Sequence, residues 1–237
     1  MSSVLTRVLG GGPHLSVGLL TADFLRLGDE LALLERAGVS LVHVDVMDGR
    51  FCPQLTVGPS FVRAIPDHFV KDVHLMVDQP LGKVEDFLAA GAELLTFHLE
   101  AETHPHRALQ TLGGRGIARG IALNPGTPLS FVAPLLDELE LLLVLAVNPG
   151  WSGQTFLPSA GRRLAEAREL IGAREIALAV DGGVTRENVA HIASLGPDLI
   201  VAGSAVFDGG NVGENLGAML AALAAAGRPQ TAVPERS

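Results

Sequence analysis

Eight short runs of Val, Ile and Leu, set at near-equal intervals, constrain this chain more than any other feature of its sequence. They lie at Leu15–Leu20, Leu41–Val46, Asp72–Val77, Leu94–Phe97, Ile117–Leu123, Leu141–Val147, Ile176–Val180 and Leu199–Ala202. Their carboxyl ends fall near Leu20, Asp45, His74, His98, Asn124, Asn148, Asp181 and Gly203, so successive ends stand 25, 29, 24, 26, 24, 33 and 22 residues apart. Runs this short predict buried strands. The stretches between them, such as Phe24–Ala37, Val84–Ala90, Ser159–Ile171, Thr185–Ala193 and Val212–Ala225, have helical periodicity, and several open on an Asp, Ser or Thr placed to cap. Strand alternating with helix implies βαβ units around a parallel sheet. A doubly wound open sheet would meet the same alternation, but eight near-equal units in 237 residues favour an α/β fold closed into a single (β/α)8 TIM barrel. No Gly-x-Gly-x-x-Gly follows the first run, where the chain reads Leu19-Leu20-Thr21-Ala22-Asp23, so a nicotinamide cofactor is not indicated.

The barrel is expected over residues 14–226, with a flexible leader at 1–13 and a flexible tail at 227–237. Composition suits one well-packed domain: 48% of residues are hydrophobic and 18% charged. A net charge of −9 argues against nucleic acid or an anionic membrane as partner, because both are held by clustered Lys and Arg. The longest strongly apolar stretch, Leu141–Val147, is far short of the roughly 20 residues that a membrane helix needs. The single cysteine, Cys52, can form no internal disulfide, which suits a reducing compartment such as the cytoplasm.

In a barrel of this kind chemistry gathers where strands end. His43, Asp45 and Met47 are spaced by two and share one strand face; Asp72, His74 and Met76 repeat the pattern in the next run, and the seventh run ends on Asp181. His43, Asp45, His74 and Asp181 would together make a four-ligand site for one divalent metal ion, with imidazole favouring Zn, Mn, Fe or Co over Mg or Ca. Met47 and Met76 are either core filler or a soft cap over a reactive centre. Asp181-Gly182-Gly183 and Gly203-Ser204 occupy the loops after strands seven and eight, where backbone N–H groups cradle phosphate in many barrels, and Gly150-Trp151-Ser152-Gly153 is placed to act as a lid over the same end. Neither Lys71 nor Lys83, the two lysines of the chain, lies at a strand's carboxyl end, which argues against a Schiff-base aldolase, and no Gly-x-Ser-x-Gly elbow is present. His104, His106 and His191, and the arginines between Arg162 and Arg174, are expected to be solvated.

The segments His43-Val44-Asp45-Val46-Met47-Asp48-Gly49, Asp72-Val73-His74-Leu75-Met76, Val147-Asn148-Pro149-Gly150 and Val180-Asp181-Gly182-Gly183 together resemble the ribulose-phosphate 3-epimerase family. Leu20-Thr21-Ala22-Asp23-Phe24, Thr96-Phe97-His98, Asn124-Pro125-Gly126-Thr127-Pro128 and Ala202-Gly203-Ser204-Ala205 extend the likeness from about Leu15 to Leu220. The resemblance implies a metal-dependent enzyme that interconverts D-ribulose 5-phosphate and D-xylulose 5-phosphate by inversion at C3. It implies His43, Asp45, His74 and Asp181 as metal ligands and Asp45 and Asp181 as the acid/base pair, with an ene-diolate between the two proton transfers. It implies a sugar phosphate held by His74 and by Gly150, Trp151, Ser152, Gly153, Gly182, Gly183, Gly203 and Ser204, Met47 and Met76 capping the ene-diolate, and a homo-oligomer. Where the family usually has a first-strand Ser, a third Met and a loop Gly, this chain has Gly18, Leu145 and Ser152. A related ketose phosphate such as a hexulose 6-phosphate, or a non-catalytic sugar-phosphate-binding barrel, are the alternatives.

Overall fold

A computed structural model describes residue 5 and residues 12–226. Eight parallel strands close into a barrel in sequence order: β1 (His14–Gly18), β2 (Leu41–Met47), β3 (Val70–Met76), β4 (Leu94–His98), β5 (Ala118–Leu123), β6 (Leu141–Leu145), β7 (Ala177–Asp181) and β8 (Leu199–Ala202), with β8 pairing back onto β1. The open doubly wound sheet is thereby excluded. Around the barrel run α1 (Leu27–Arg36), α2 (Pro59–Ala64), α3 (Val84–Ala89), α4 (Pro105–Gly113), a 3-10 segment at Leu129–Glu138, α5 (Ala160–Ile171), α6 (Val189–Ser194), α7 (Ser204–Phe207) and α8 (Val212–Ala226). Among the described residues no helix is long and apolar enough to cross a membrane.

Each strand buries both faces, which is why the strands read as nearly unbroken apolar runs. Outward residues such as Val42, Val44, Leu95, Ile121, Leu142, Val144 and Val180 pack with the helices in one large core. Inward residues form layers. The layer at the strands' amino ends is apolar, built from Leu41, Val70, Leu94, Leu141 and Leu199, and Leu5 joins the same interior cluster fully buried. On β2 and β3, climbing by two brings polar side chains inward: His43 and Asp45 on β2 pair in register with Asp72 and His74 on β3. The remaining residues of the expected leader up to residue 11, and the expected tail at 227–237, lie outside the described residues.

Several local expectations need correction. The first run does not stay extended to Leu20, because Leu19–Thr21 tighten into a 3-10 turn after Gly18; β6 ends at Leu145 rather than Val147. Ser159 precedes α5 but makes no side-chain cap bond; its φ of −74° and ψ of −17° are already helical, whereas a capping residue has extended backbone. Nor are all the arginines of α5 solvated. Arg163 is buried and donates to the carbonyls of Asn124 and Thr127 at 3.2 and 2.9 Å, while Arg168 donates to Gly196 O and to the Asp198 carboxylate. Long side chains here tie the helix onto neighbouring loops.

Candidate metal centre and active site

The carboxyl ends of β2, β3 and β7 bring His43, Asp45, His74 and Asp181 together, with one ligand atom from each lying within 4.8 Å of every other. Alternation aims all four side chains inward, and the β2–β3 register sets His74 directly beside Asp45. His74 Nδ1 lies 3.0 Å from Asp45 Oδ1 and 3.8 Å from Asp181 Oδ2, and His43 Nε2 lies 3.1 Å from the same Asp45 oxygen. Asp181 comes from β7, separated from β2 by β1 and β8, so the two carboxylates face each other nearly across the barrel mouth. Thr56 pins the end of β2 beneath them: its hydroxyl donates to Asp45 O at 2.8 Å and accepts the N–H of Met47 at 2.9 Å.

Each imidazole is held from behind. His43 turns Nδ1 to the buried Asp72 carboxylate at 2.7 Å, and the Ser16 hydroxyl donates to the same oxygen at 3.0 Å. His74 turns Nε2 to His98 Nε2 at 3.0 Å; His98 turns Nδ1 to Glu100 at 3.3 Å; and Glu100 accepts the N–H of Asn124 and the hydroxyl of Thr127. Phe51 packs on His98 with ring centroids 4.6 Å apart. Two imidazoles and two carboxylates, each imidazole with its far nitrogen hydrogen-bonded, is a donor set that fits a divalent ion with nitrogen affinity.

The electrostatics divide the two carboxylates. Burial works to raise Asp45, but His43 and His74 outweigh it and hold its carboxyl far below the usual range. Burial, reinforced by the neighbouring Asp45 charge, pushes Asp181 up to about 6. His43 resists charge through its burial, yet Asp72 and Asp45 on either side raise it well above an ordinary histidine. Burial lowers His98 to about 4 even with Glu100 beside it. Burial also works to raise Glu100, but bonds from His98, Thr127 and Asn124 prevail and hold it at about 2. A pair of carboxylates with separated proton affinities suits one to take a proton while the other gives one.

Above these groups opens a cavity of about 400 Å³. Asp45, Asp181, Met47 and Met76 form its floor region, and Gly150–Gly153, Gly182–Gly183 and Gly203–Ser204 line it as well. His43 and His74 are fully buried behind the floor. Met47 and Met76 also cluster with Cys52, so packing and capping are compatible roles. Two glycines are required by geometry. Gly183 has φ +69°, and a Cβ there would sit 2.3 Å from Phe156 N; a Cβ on Gly203 would sit 2.9 Å from both Gly18 O and Thr21 Oγ1. Lacking a Cβ, these two turns pack closely on the 155–156 segment and on the end of β1 at the rim of the cavity. The sequence pattern assigns no role to Ser16, His98 or Glu100, and shows Asp72 only as sharing a face with His74. Period-two spacing of Thr96 and His98 was the available signal, and it acquires meaning only once the β3–β4 register sets Thr96 beside His74.

Residues 14–207 match the Ribulose-phosphate 3 epimerase family. Among curated relatives, ribulose-phosphate 3-epimerase of Escherichia coli (strain K12) is 44% identical over 195 residues, covering 80% of this chain and 87% of the relative. That of Rhodobacter capsulatus is 40% identical over 216 residues, covering 88% and 94%. Among solved structures, phosphoribosyl anthranilate isomerase from Thermus thermophilus superposes with a TM-score of 0.62 at 21% identity, covering 90% of this chain and 98% of the other. The 3-keto-L-gulonate-6-phosphate decarboxylase of Vibrio cholerae does so with 0.66 at 12%, with the same coverage; at such identities these two share the fold.

Proposed function

Because the chain belongs to the ribulose-phosphate 3-epimerase family, we propose that it interconverts D-ribulose 5-phosphate and D-xylulose 5-phosphate by a two-base proton transfer at C3. One of Asp45 and Asp181 removes the C3 proton, leaving an ene-diolate, and the other returns a proton to the opposite face. The observation that carries this reading is the approach of both carboxylates to His74 Nδ1, at 3.0 and 3.8 Å, from strands on opposite sides of the mouth. Inversion needs an acid and a base on the two faces of one carbon, and both carboxylates, from β2 and β7, line the cavity in which that carbon would bind.

His43, Asp45, His74 and Asp181 would hold the divalent ion, whose identity we assign to the group Zn, Mn, Fe or Co. Bound there, the ion supplies positive charge beside the oxygens that gather negative charge as C3 loses its proton. The backbone around Gly182, Gly183, Gly203 and Ser204 binds the phosphate, the Gly150–Gly153 loop excludes water from above, and Met47 and Met76 present apolar surface to the planar carbons. A homo-oligomer is part of the same reading; Leu25 is a large apolar side chain exposed outside the cavity, whereas the exposed Phe24, Leu55 and Trp151 line it.

A coupled assay on ribulose 5-phosphate, run beside hexulose 6-phosphates and repeated in D2O, tests the reading. Turnover of ribulose 5-phosphate with solvent deuterium appearing at C3 is expected, together with loss of turnover in Asp45→Asn and Asp181→Asn. Full activity in either variant would eliminate the two-base scheme.

A further inference from the structure

We propose that His98 and Glu100 are positioning residues that fix His74 in the one tautomer able to ligate an ion. The inference rests on the reading of His74 as a ligand. Its Nδ1 faces the site and its Nε2 meets His98 Nε2 at 3.0 Å, so a single proton lies between the two rings. The ring centroids are 5.0 Å apart and the planes only 24° from parallel, which with that N–N distance sets the rings edge to edge as hydrogen-bond partners.

Two directions of the chain are conceivable. In one, His98 Nε2–H donates to His74 Nε2, and His74 Nδ1–H donates to Asp45; His74 then has no lone pair to offer an ion, and His98 Nδ1 turns a lone pair toward a carboxylate. In the other, His74 Nε2–H donates to His98, His98 Nδ1–H donates to Glu100, and His74 Nδ1 presents its lone pair to the site. Glu100 selects the second. It accepts from His98 at 3.3 Å, from Asn124 N–H at 2.8 Å and from the Thr127 hydroxyl, so it is surrounded by donors and acts only as an acceptor. Phe51 leaves His98 little freedom to turn away. His98 is fully buried, and the relay ends in the loops after β4 and β5, among residues that do not line the cavity.

The test uses the full chain stripped of metal and titrated with Co(II), read by affinity and by the visible absorption of the bound ion, beside histidine-ring 15N NMR of the Zn(II)-loaded protein. Expected are His98 as the Nδ1–H tautomer, a Co(II) affinity about 10- to 100-fold weaker with an altered spectrum in His98→Leu, and substantial recovery in His98→Gln, whose side-chain oxygen can replace the accepting nitrogen. Glu100→Gln should weaken Co(II) binding several-fold with a smaller spectral change. His98 found as the Nε2–H tautomer overturns the proposal, and so does a folded His98→Leu protein with unchanged affinity and spectrum. If His98→Leu does not fold, the tautomer and the Glu100→Gln titration decide. A wild-type chain that binds no Co(II), or a His74→Ala variant that binds as the wild type does, overturns instead the reading of the four residues as ligands.

Discussion

His43 donates through Nδ1 to Asp72 at 2.7 Å, and by doing so it turns Nε2 toward Asp45 and the centre of the barrel mouth. Asp72 is itself held by the Ser16 hydroxyl of β1, so three adjacent strands cooperate to aim one nitrogen. Removing the charge behind a ligating imidazole weakens its hold on a metal ion. Asp72→Asn should therefore lower metal affinity by about 10- to 100-fold, and Ser16→Ala by less. Competition against a chromophoric chelator measures both; an Asp72→Asn protein with wild-type affinity would show that the contact serves folding alone.

Asp181 predicts a pH dependence in the metal-stripped chain. Its folded carboxyl sits at about 6 against 3.8 ordinarily, so the folded state binds this proton more tightly than the unfolded state. Below pH 3.8 the group is protonated in both states and costs nothing; as pH rises through about 6 the cost becomes complete, on the order of 3 kcal/mol as an upper figure. Asp181→Asn should be more stable than the wild type at pH 8 when both are stripped, with the gap closing toward pH 4. Urea unfolding across that range gives the difference, and a pH-independent gap would contradict the assignment.

The acid/base roles predict kinetics of a definite kind. Asp45→Asn and Asp181→Asn should each lose turnover by about 10²- to 10⁴-fold, chiefly in kcat, while Met76→Leu should keep the reaction and change it modestly. Steady-state assays at saturating metal separate these. A loss confined to KM would indicate that the carboxylates bind substrate without moving its proton.

At the phosphate end, Gly183→Ala forces a side chain into φ +69° and onto Phe156 N. The expected cost is about 2 kcal/mol or more, with a raised KM for sugar phosphates. Thermal melts and KM values on the same preparation check it; an unchanged KM in a well-folded variant would exclude a close approach of ligand to this turn.

Arg163 makes a purely structural prediction. Its guanidinium ties α5 to the loop after β5 through two carbonyls, so Arg163→Ala should destabilise the chain by about 1–3 kcal/mol, leaving kcat near the wild-type value. Denaturant melts beside the epimerase assay distinguish this from a catalytic role.

The barrel and the four converging groups were legible because both depend on periods that a sequence displays directly. The repeat of strand plus helix carries closure, and spacing by two puts His43 with Asp45 and Asp72 with His74. Groups that act one layer further out were not legible. Asp72 gains its role from the β2–β3 register opposite His43, and Glu100 belongs to a turn after β4 whose partners, Asn124 and Thr127, follow β5. Ser159 differs for another reason: its residue type suggests a cap, while its helical φ and ψ, which residue type does not reveal, go with no side-chain cap bond. Arg163 looked like surface because charge alone does not reveal that a long stem can reach loop carbonyls.

The placement of Asp181 on the seventh strand, opposite three partners from the second and third, has a consequence for how the chain can be divided. A fragment ending after β4 carries three of the four donors, and a fragment beginning at β5 carries the last. Neither half can build the complete set by itself, so a full-strength cation signal from two co-expressed halves would report that both seams of the cylinder had zipped.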